Sequence, residues 1–368
     1  MVRSTPVSRL VRHPRLRVLA AAGLSLAAFA AFGIAMLGFL EGAEAGRRLF
    51  TISPGWLALA LGAWSLSVAV QTLRLRALVP VSPRPPFLGF LWVVLGSNAV
   101  HLALPGPVAE LGAAWALRQR YGVPMPTALA AALLARVLAL AIFGLVTLAL
   151  WPLVADRVPA LLDGVLGPLA VATGFLGLGL VGVLSQPVRV ARVAAAAVDR
   201  LVAFGGVGGR GRRFAERLRW WARCFTAVGE VPLHRWAEAA GWSLANLAVL
   251  TGSSLLTLRA VGIDAEVLGT LFMQAITAVA SVAGLLVPGG LGAVEVVVVA
   301  LFPMVAAGST ADAVFAALAL RGVHLAALVL GIPAMSWLIA TLPDDADART
   351  ATLTGALNAD LDGVERAQ

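Results

Sequence analysis

The run Pro288-Gly289-Gly290-Leu291-Gly292-Ala293-Val294-Glu295 interrupts an otherwise apolar stretch from Val267 to Ala307, and its reading decides how the chain folds. Proline lacks an amide proton and glycine carries no Cβ, so no regular helix continues through Pro288, Gly289, Gly290 and Gly292. A spanning helix needs about 20 apolar residues; the stretch is too long for one crossing and suits two arms that meet at the break. It reads as a hairpin or re-entrant element whose one charged residue is Glu295. A second stretch, Phe87 to Leu117, is built the same way around Pro105, Gly106 and Pro107, with Glu110 as its one carboxylate.

The next apolar segment after each hairpin carries an arginine, Arg136 in the first half and Arg321 in the second. Glu110 to Arg136 spans 26 residues, and so does Glu295 to Arg321. In a chain so poor in intramembrane charge, the equal interval points to an internal repeat of the order helix, hairpin, helix.

Composition places these elements in a bilayer. The chain is 60% hydrophobic and 13% charged over 368 residues, with a mean hydropathy of +0.90, more apolar surface than a water-soluble domain of that length buries. Apolar segments lie at about 18–40, 55–73, 87–117, 127–151, 161–184, 236–258, 267–307 and 313–341, so the expected class is an all-α transmembrane bundle of about eight hydrophobic segments. The run 18–40 is too long for the core of a cleaved signal peptide and reads as a first spanning helix.

All 28 basic residues are arginine, and their placement orients the segments, because basic loops stay cytoplasmic. The amino-terminal 1–17, the turn with Arg74, Arg76 and Arg84, the turn with Arg118 and Arg120, and the basic loop 186–235 read as inside. The membrane domain 18–341 then divides into a first half at 55–184 and a second at 236–341, and the tail 342–368 reads as disordered. The first hairpin enters from the cytoplasm and the second from the outer face, an inverted repeat of the kind transporters use. Both termini fall in the cytoplasm.

A net charge of +9 matches basic loops against anionic lipid and does not call for nucleic acid. The single cysteine, Cys224, allows no intrachain disulfide and has no spaced partner for a metal. No nucleophile, metal cluster or nucleotide loop is apparent, so neither an enzyme nor a cofactor is expected.

The functional candidates are Glu110, Arg136, Glu295 and Arg321. A charge at the bilayer centre costs about 2.5–3.5 kcal/mol on insertion scales and is normally paired or turned to a polar cavity. Arginine keeps its charge and presents a fork suited to phosphate or carboxylate, while glutamate accepts from an amine or hydroxyl. One reading makes the four residues ion pairs that lock the repeats together. The other makes them the wall of one cavity, open to lipid, that receives a headgroup; the half-helix after the Pro288–Gly292 break would aim its positive end at an anion there. His324, three residues after Arg321, shares its face, and Asn98 and His101 precede the first break. Asn246 and Gln274 suit interhelical hydrogen bonds, and the many glycines and alanines suit close helix packing.

The run from Asn98 through Pro105, Gly106 and Glu110 to Arg136, with Pro288-Gly289-Gly290-Leu291-Gly292, Glu295 and Arg321, resembles the lysylphosphatidylglycerol synthase transmembrane-region family, also described as flippase-like. The resemblance covers about residues 15–342. The second motif matches the family pattern throughout, whereas the first has Pro107, Ala109 and Ala113 where members carry arginine and glycine, and Ala135 and Ala139 flank Arg136. The resemblance implies a bacterial inner-membrane protein that moves a phospholipid or lipid-linked group between leaflets. Its partners would be membrane lipids, anionic or aminoacylated, and a separate lipid-modifying enzyme. The reduced first motif implies a different headgroup or a degenerate first half. Relatives carry a synthetase domain after the membrane region, so this chain is expected to be the translocase part alone. A small-solute or proton-coupled transporter, and a non-catalytic partner of a lipid-modifying enzyme, are the alternatives.

Overall fold

A computed structural model describes residues 52–79, 86–103, 106–158, 160–184, 231–283 and 292–340, with a few isolated positions besides. Every element among them is helical, as an all-α membrane bundle requires. In chain order these are α1 (Pro54–Leu78), α2 (Phe87–Ala103), α3 (Gly106–Tyr121), α4 (Met125–Val154), α5 (Ala160–Leu184), α6 (Leu233–Ala260), α7 (Val267–Ala283), α8 (Ala293–Val305) and α9 (Thr310–Ala340), with a single 3-10 turn at Ala155–Arg157. Seven of the expected segments fall on these helices. The run 18–40, the amino-terminal arginines, most of the loop 186–235, the tail, and the break residues Pro105, Pro288, Gly289 and Gly290 lie outside the described residues.

Both interrupted stretches are helix pairs, α2–α3 and α7–α8. Their arms are 17, 16, 17 and 13 residues long, whereas α1, α4 and α6 are long and apolar enough to cross a membrane. Gly106 belongs to the first turn of α3 rather than to a loop. Gly292 has φ of 86°, a left-handed conformation that favours glycine, and caps α8. The arginine turns need correction: Arg74 and Arg76 end α1, and Arg118 and Arg120 end α3, because the helices run several residues past the apolar windows. Two helix ends close with local chemistry. Gly122, at φ of 65°, donates its N–H to Arg118 O and stops α3, while Ser309 and Asp312 cap α9 reciprocally through the Ser309 N–H and hydroxyl and the Asp312 carboxylate.

Helix contacts repeat in matched pairs. The pairing of α2 with α9 has its counterpart in α7 with α4, α2–α3 in α7–α8, α3–α4 in α8–α9, α1–α2 in α6–α7, and α1–α9 in α6–α4. The most extensive contact, α1 with α6, is its own counterpart. It runs antiparallel along its whole length: Ser53 N–H meets Ala260 O at 2.8 Å, the Ser253 hydroxyl meets Ala60 O at 2.9 Å, and Arg235 Nη1 meets Val79 O at 3.3 Å. The first helix of one half therefore points opposite to the first helix of the other. Small residues make this seam close, and the hydroxyls of Ser243, Thr251 and Thr257 bond back to carbonyls four residues earlier, so apolar surroundings leave them satisfied. Helix α5 packs on α4 outside the repeat, with Gly144 against the Thr173 backbone and Gly177 against that of Ala141.

Two equivalent glycines hold the hairpins shut. Gly89 is the third residue of α2 and Gly269 the third of α7. A Cβ at Gly269 would stand 2.0 Å from the Met304 carbonyl oxygen, whereas one at Gly89 would meet the end of the Tyr121 side chain. Backbone cannot step aside and a ring can. Gly269→Ala is expected to lower stability by about 1–3 kcal/mol, and Gly89→Ala by clearly less, as read by thermal melting of the purified protein in detergent.

Candidate functional site

The equal spacing of the charged residues has a simple geometric origin. Helices α3 and α4 are antiparallel neighbours joined by a short turn, and Glu110 and Arg136 lie at matching distances on either side of it. Arg136 is the twelfth residue of α4 and Arg321 the twelfth of α9. Residues placed equally far from the turn of a helical hairpin come side by side. Glu110 Oε1 lies 2.9 Å from Arg136 Nη1, and Glu295 Oε1 accepts from Arg321 Nε. At 1.5 Å per residue, each arginine sits about 16 Å along its helix.

The four residues do not line one cavity. They form two separate ones that share no wall residue, and each ion pair is internal to its half instead of tying the halves together. The two linings nevertheless correspond. Val94, Ser97, Glu110, Ala113, Ala132, Ala135 and Arg136 in the first stand opposite Gln274, Thr277, Glu295, Val298, Ala317, Leu320 and Arg321 in the second.

Their interiors differ in how far the charges are satisfied. In the second cavity the Glu295 side chain is 3% exposed and that of Arg321 11%. Glu295 Oε2 also accepts the Gly292 N–H at 2.8 Å, so the positive end of α8 is capped by the chain's own carboxylate and is not turned to an external anion. Gln274 bonds to the Ser254 hydroxyl, and His324 lines the same wall, its Nδ1 2.7 Å from Leu320 O and its ring edge-on to Trp64. Among the described residues, the Thr277 hydroxyl is buried there without a partner.

The first cavity is bounded by α1 as well as by α2, α3 and α4. Arg136 is 33% exposed there. Glu110 Oε2 is buried with no hydrogen-bond partner among the described residues, and the same is true of Arg74 Nε and Nη1 on the facing wall. Asn98 joins this lining and donates to Gln71 Oε1 at 3.2 Å; the Ser97 hydroxyl donates to Ala109 O. His101 lies one turn beyond Asn98 and outside the lining, with Nδ1 buried and unpartnered among the described residues. Asn246 likewise keeps a buried Oδ1 with no partner among the described residues, so the interhelical bond expected of it does not form at that atom among them.

Arg74, Gln71 and Ser97 escape a reading of the sequence. An arginine at the end of an apolar run looks like a loop residue. The available signal is that Gln71 and Arg74 stand three apart and so share one face of α1.

The family model for the lysylphosphatidylglycerol synthase TM region matches residues 18–331. The chain belongs to this family. No curated protein matches it. Membership fits an all-helical membrane protein and connects the chain to membrane-lipid function. The lysylphosphatidylglycerol synthase TM match runs through both cavities, including all four of Glu110, Arg136, Glu295 and Arg321.

Removing one partner of a buried pair strands the other. Arg321→Ala leaves Glu295 dry and uncompensated and is expected to cost about 3–5 kcal/mol, visible as a large fall in melting temperature. Arg136→Ala, at a more open site, is expected to cost less in the same measurement.

Proposed function

We propose that this protein is a lipid translocase of the cytoplasmic membrane, moving a phospholipid or lipid-linked headgroup between leaflets without chemistry of its own. The observation that carries the reading is the pair of corresponding cavities, each holding a Glu–Arg pair, built into two oppositely directed halves, in a family tied to membrane lipids. Arginine-rich loops orient the α3–α4 turn to the cytoplasm and the α8–α9 turn to the outside. With each ion pair about 16 Å from its own turn, and the hydrocarbon about 30 Å thick, both pairs then fall near the midplane from opposite sides. Transporters built on inverted repeats place their substrate sites at that depth and alternate access by rocking one half against the other.

In this mechanism the polar head travels past buried charge while the acyl chains stay in lipid. The Glu295–Arg321 pair, already satisfied, fixes α8 against α9 as a rigid wall. The less satisfied first cavity offers hydrogen-bonding capacity to a head that would otherwise cross hydrocarbon unpartnered. A small-solute or proton-coupled transporter would instead carry cargo through a closed aqueous path.

Reconstituted into proteoliposomes, the protein is expected to move fluorescently labelled phosphatidylglycerol between leaflets, as read by leaflet-specific quenching. Arg136→Ala is expected to slow the movement about tenfold or more, the loss of a charge-assisted contact. Rates no faster than in protein-free vesicles would sink the translocase reading, and solute uptake without lipid movement would favour the solute transporter.

A further inference from the structure

The contact of α4 with α7 joins the first half to the second. Toward the end of α4 and the start of α7, the rings of Trp151 and Phe272 stand 6.2 Å apart, and Val154 and Val158 pack in one apolar cluster with Met304 and Val305 of α8. Beyond that cluster Arg157, the last residue of the 3-10 turn after α4, donates through Nη1 to both carboxylate oxygens of Glu266, the residue before α7. Glu266 is itself held from two sides. Its N–H donates to Val305 O at 2.8 Å, and its carbonyl accepts from the Thr270 N–H at 3.0 Å and the Thr270 hydroxyl at 2.7 Å. With Gly269 close against the Met304 carbonyl, the start of α7 and the end of α8 form one unit, which Arg157 ties to the other half.

The repeat gives this pair no charged counterpart. Arg321 stands 185 positions after Arg136, and the same step takes Arg157 to Leu342. Gly269 stands 180 positions after Gly89, and that step takes Glu266 back to Pro86. Where the two halves meet at the opposite end of the molecule, the equivalent positions therefore hold two apolar residues. Backbone symmetry does not require an ion pair at Arg157 and Glu266, and the surroundings do not bury it, since the side chains are 46% and 48% exposed. An exposed pair adds little to stability and is screened by salt. It can still bias an equilibrium between two arrangements of the halves, because water takes up both charges when it opens. We propose that Arg157 and Glu266 are the latch of the outer opening, released whenever the end of α4 parts from the α7–α8 hairpin. The cytoplasmic opening, with Leu342 and Pro86 in the matching places, has no such latch. This deepens the translocase reading and rests on it, since rocking of one half against the other is what opens that side.

The test uses the full chain with Cys224→Ser and Thr277→Cys, in membrane vesicles of known orientation. It reads how fast sulfonatoethyl methanethiosulfonate, which does not cross the bilayer, labels position 277 on the wall of the second cavity from the outer side. Glu266→Gln and Arg157→Gln are each expected to raise that rate about two- to fivefold, and the exchange of Arg157→Glu with Glu266→Arg to bring it back. Sodium chloride at about 1 M is expected to speed labelling when the pair is intact and to change nothing in Glu266→Gln. Melting temperatures are expected to stay together, and a fall that tracks the labelling rate would overturn the latch in favour of a structural brace. In a second arm, Arg157→Cys with Glu266→Cys on Cys224→Ser is bridged by a bifunctional methanethiosulfonate. It is expected to stop moving labelled phosphatidylglycerol and to resume when dithiothreitol cuts the bridge. Equal labelling with and without Glu266→Gln, or an exchange that restores nothing, would overturn the latch. Full lipid movement by the bridged protein would remove the latch and leave the translocase standing, whereas latch-controlled labelling with no lipid movement by the unbridged protein would do the reverse.

Discussion

A carboxylate held about 16 Å from the end of a helix inside apolar surroundings must find a positive partner at its own level, and that requirement fixes the register of two helices at once. Glu110 and Glu295 meet it in the same way, each facing an arginine on the helix that follows across a short turn. The pairing explains why the arms beyond each break are close to the length needed to carry the glutamate to its partner. It also sets part of the wall of each cavity, since lining residues flank the paired charges on α3 and α4 or on α8 and α9. Without the pair, neither broken hairpin has a reason to dock in one register.

The antiparallel seam of α1 and α6 assembles two such units into one molecule. Its hydrogen bonds reach from Ser53 to Ala260 at one end and from Arg235 to Val79 at the other. A contact that is its own counterpart lies on the pseudo-two-fold axis, and the matched contacts around it are what an inverted pair of repeats produces. Glycine at the third position of α2 and of α7 lets each hairpin close on its second arm.

Symmetry of backbone coexists with a division of labour among side chains. The second half keeps the fuller motif, and its charges satisfy one another so completely that they read as structure. The first half, with alanine at 109, 113, 135 and 139, looks depleted in one dimension. In three dimensions α1 brings Arg74 and Gln71 to the cavity that Ala113 and Ala135 line. Charges on helices distant in sequence are invisible to each other along the chain.

Hydropathy and spacing alone determined the membrane class, the helical segments, the two broken hairpins and the equal Glu-to-Arg intervals, because these follow from local chemistry: helix length against bilayer thickness, proline and glycine against helix continuity, and equal distances from a turn. The inverted direction of the halves was also legible, through the alternation of arginine-rich ends. Tertiary structure decided that the four charges divide between two cavities, that the end of α8 is closed by Glu295, and that Arg74 belongs to a cavity wall and not to a loop. Those outcomes depend on which faces of sequence-distant helices pack together. Such packing is set by side-chain volume and close approach across the seam, and no periodicity within one segment encodes it.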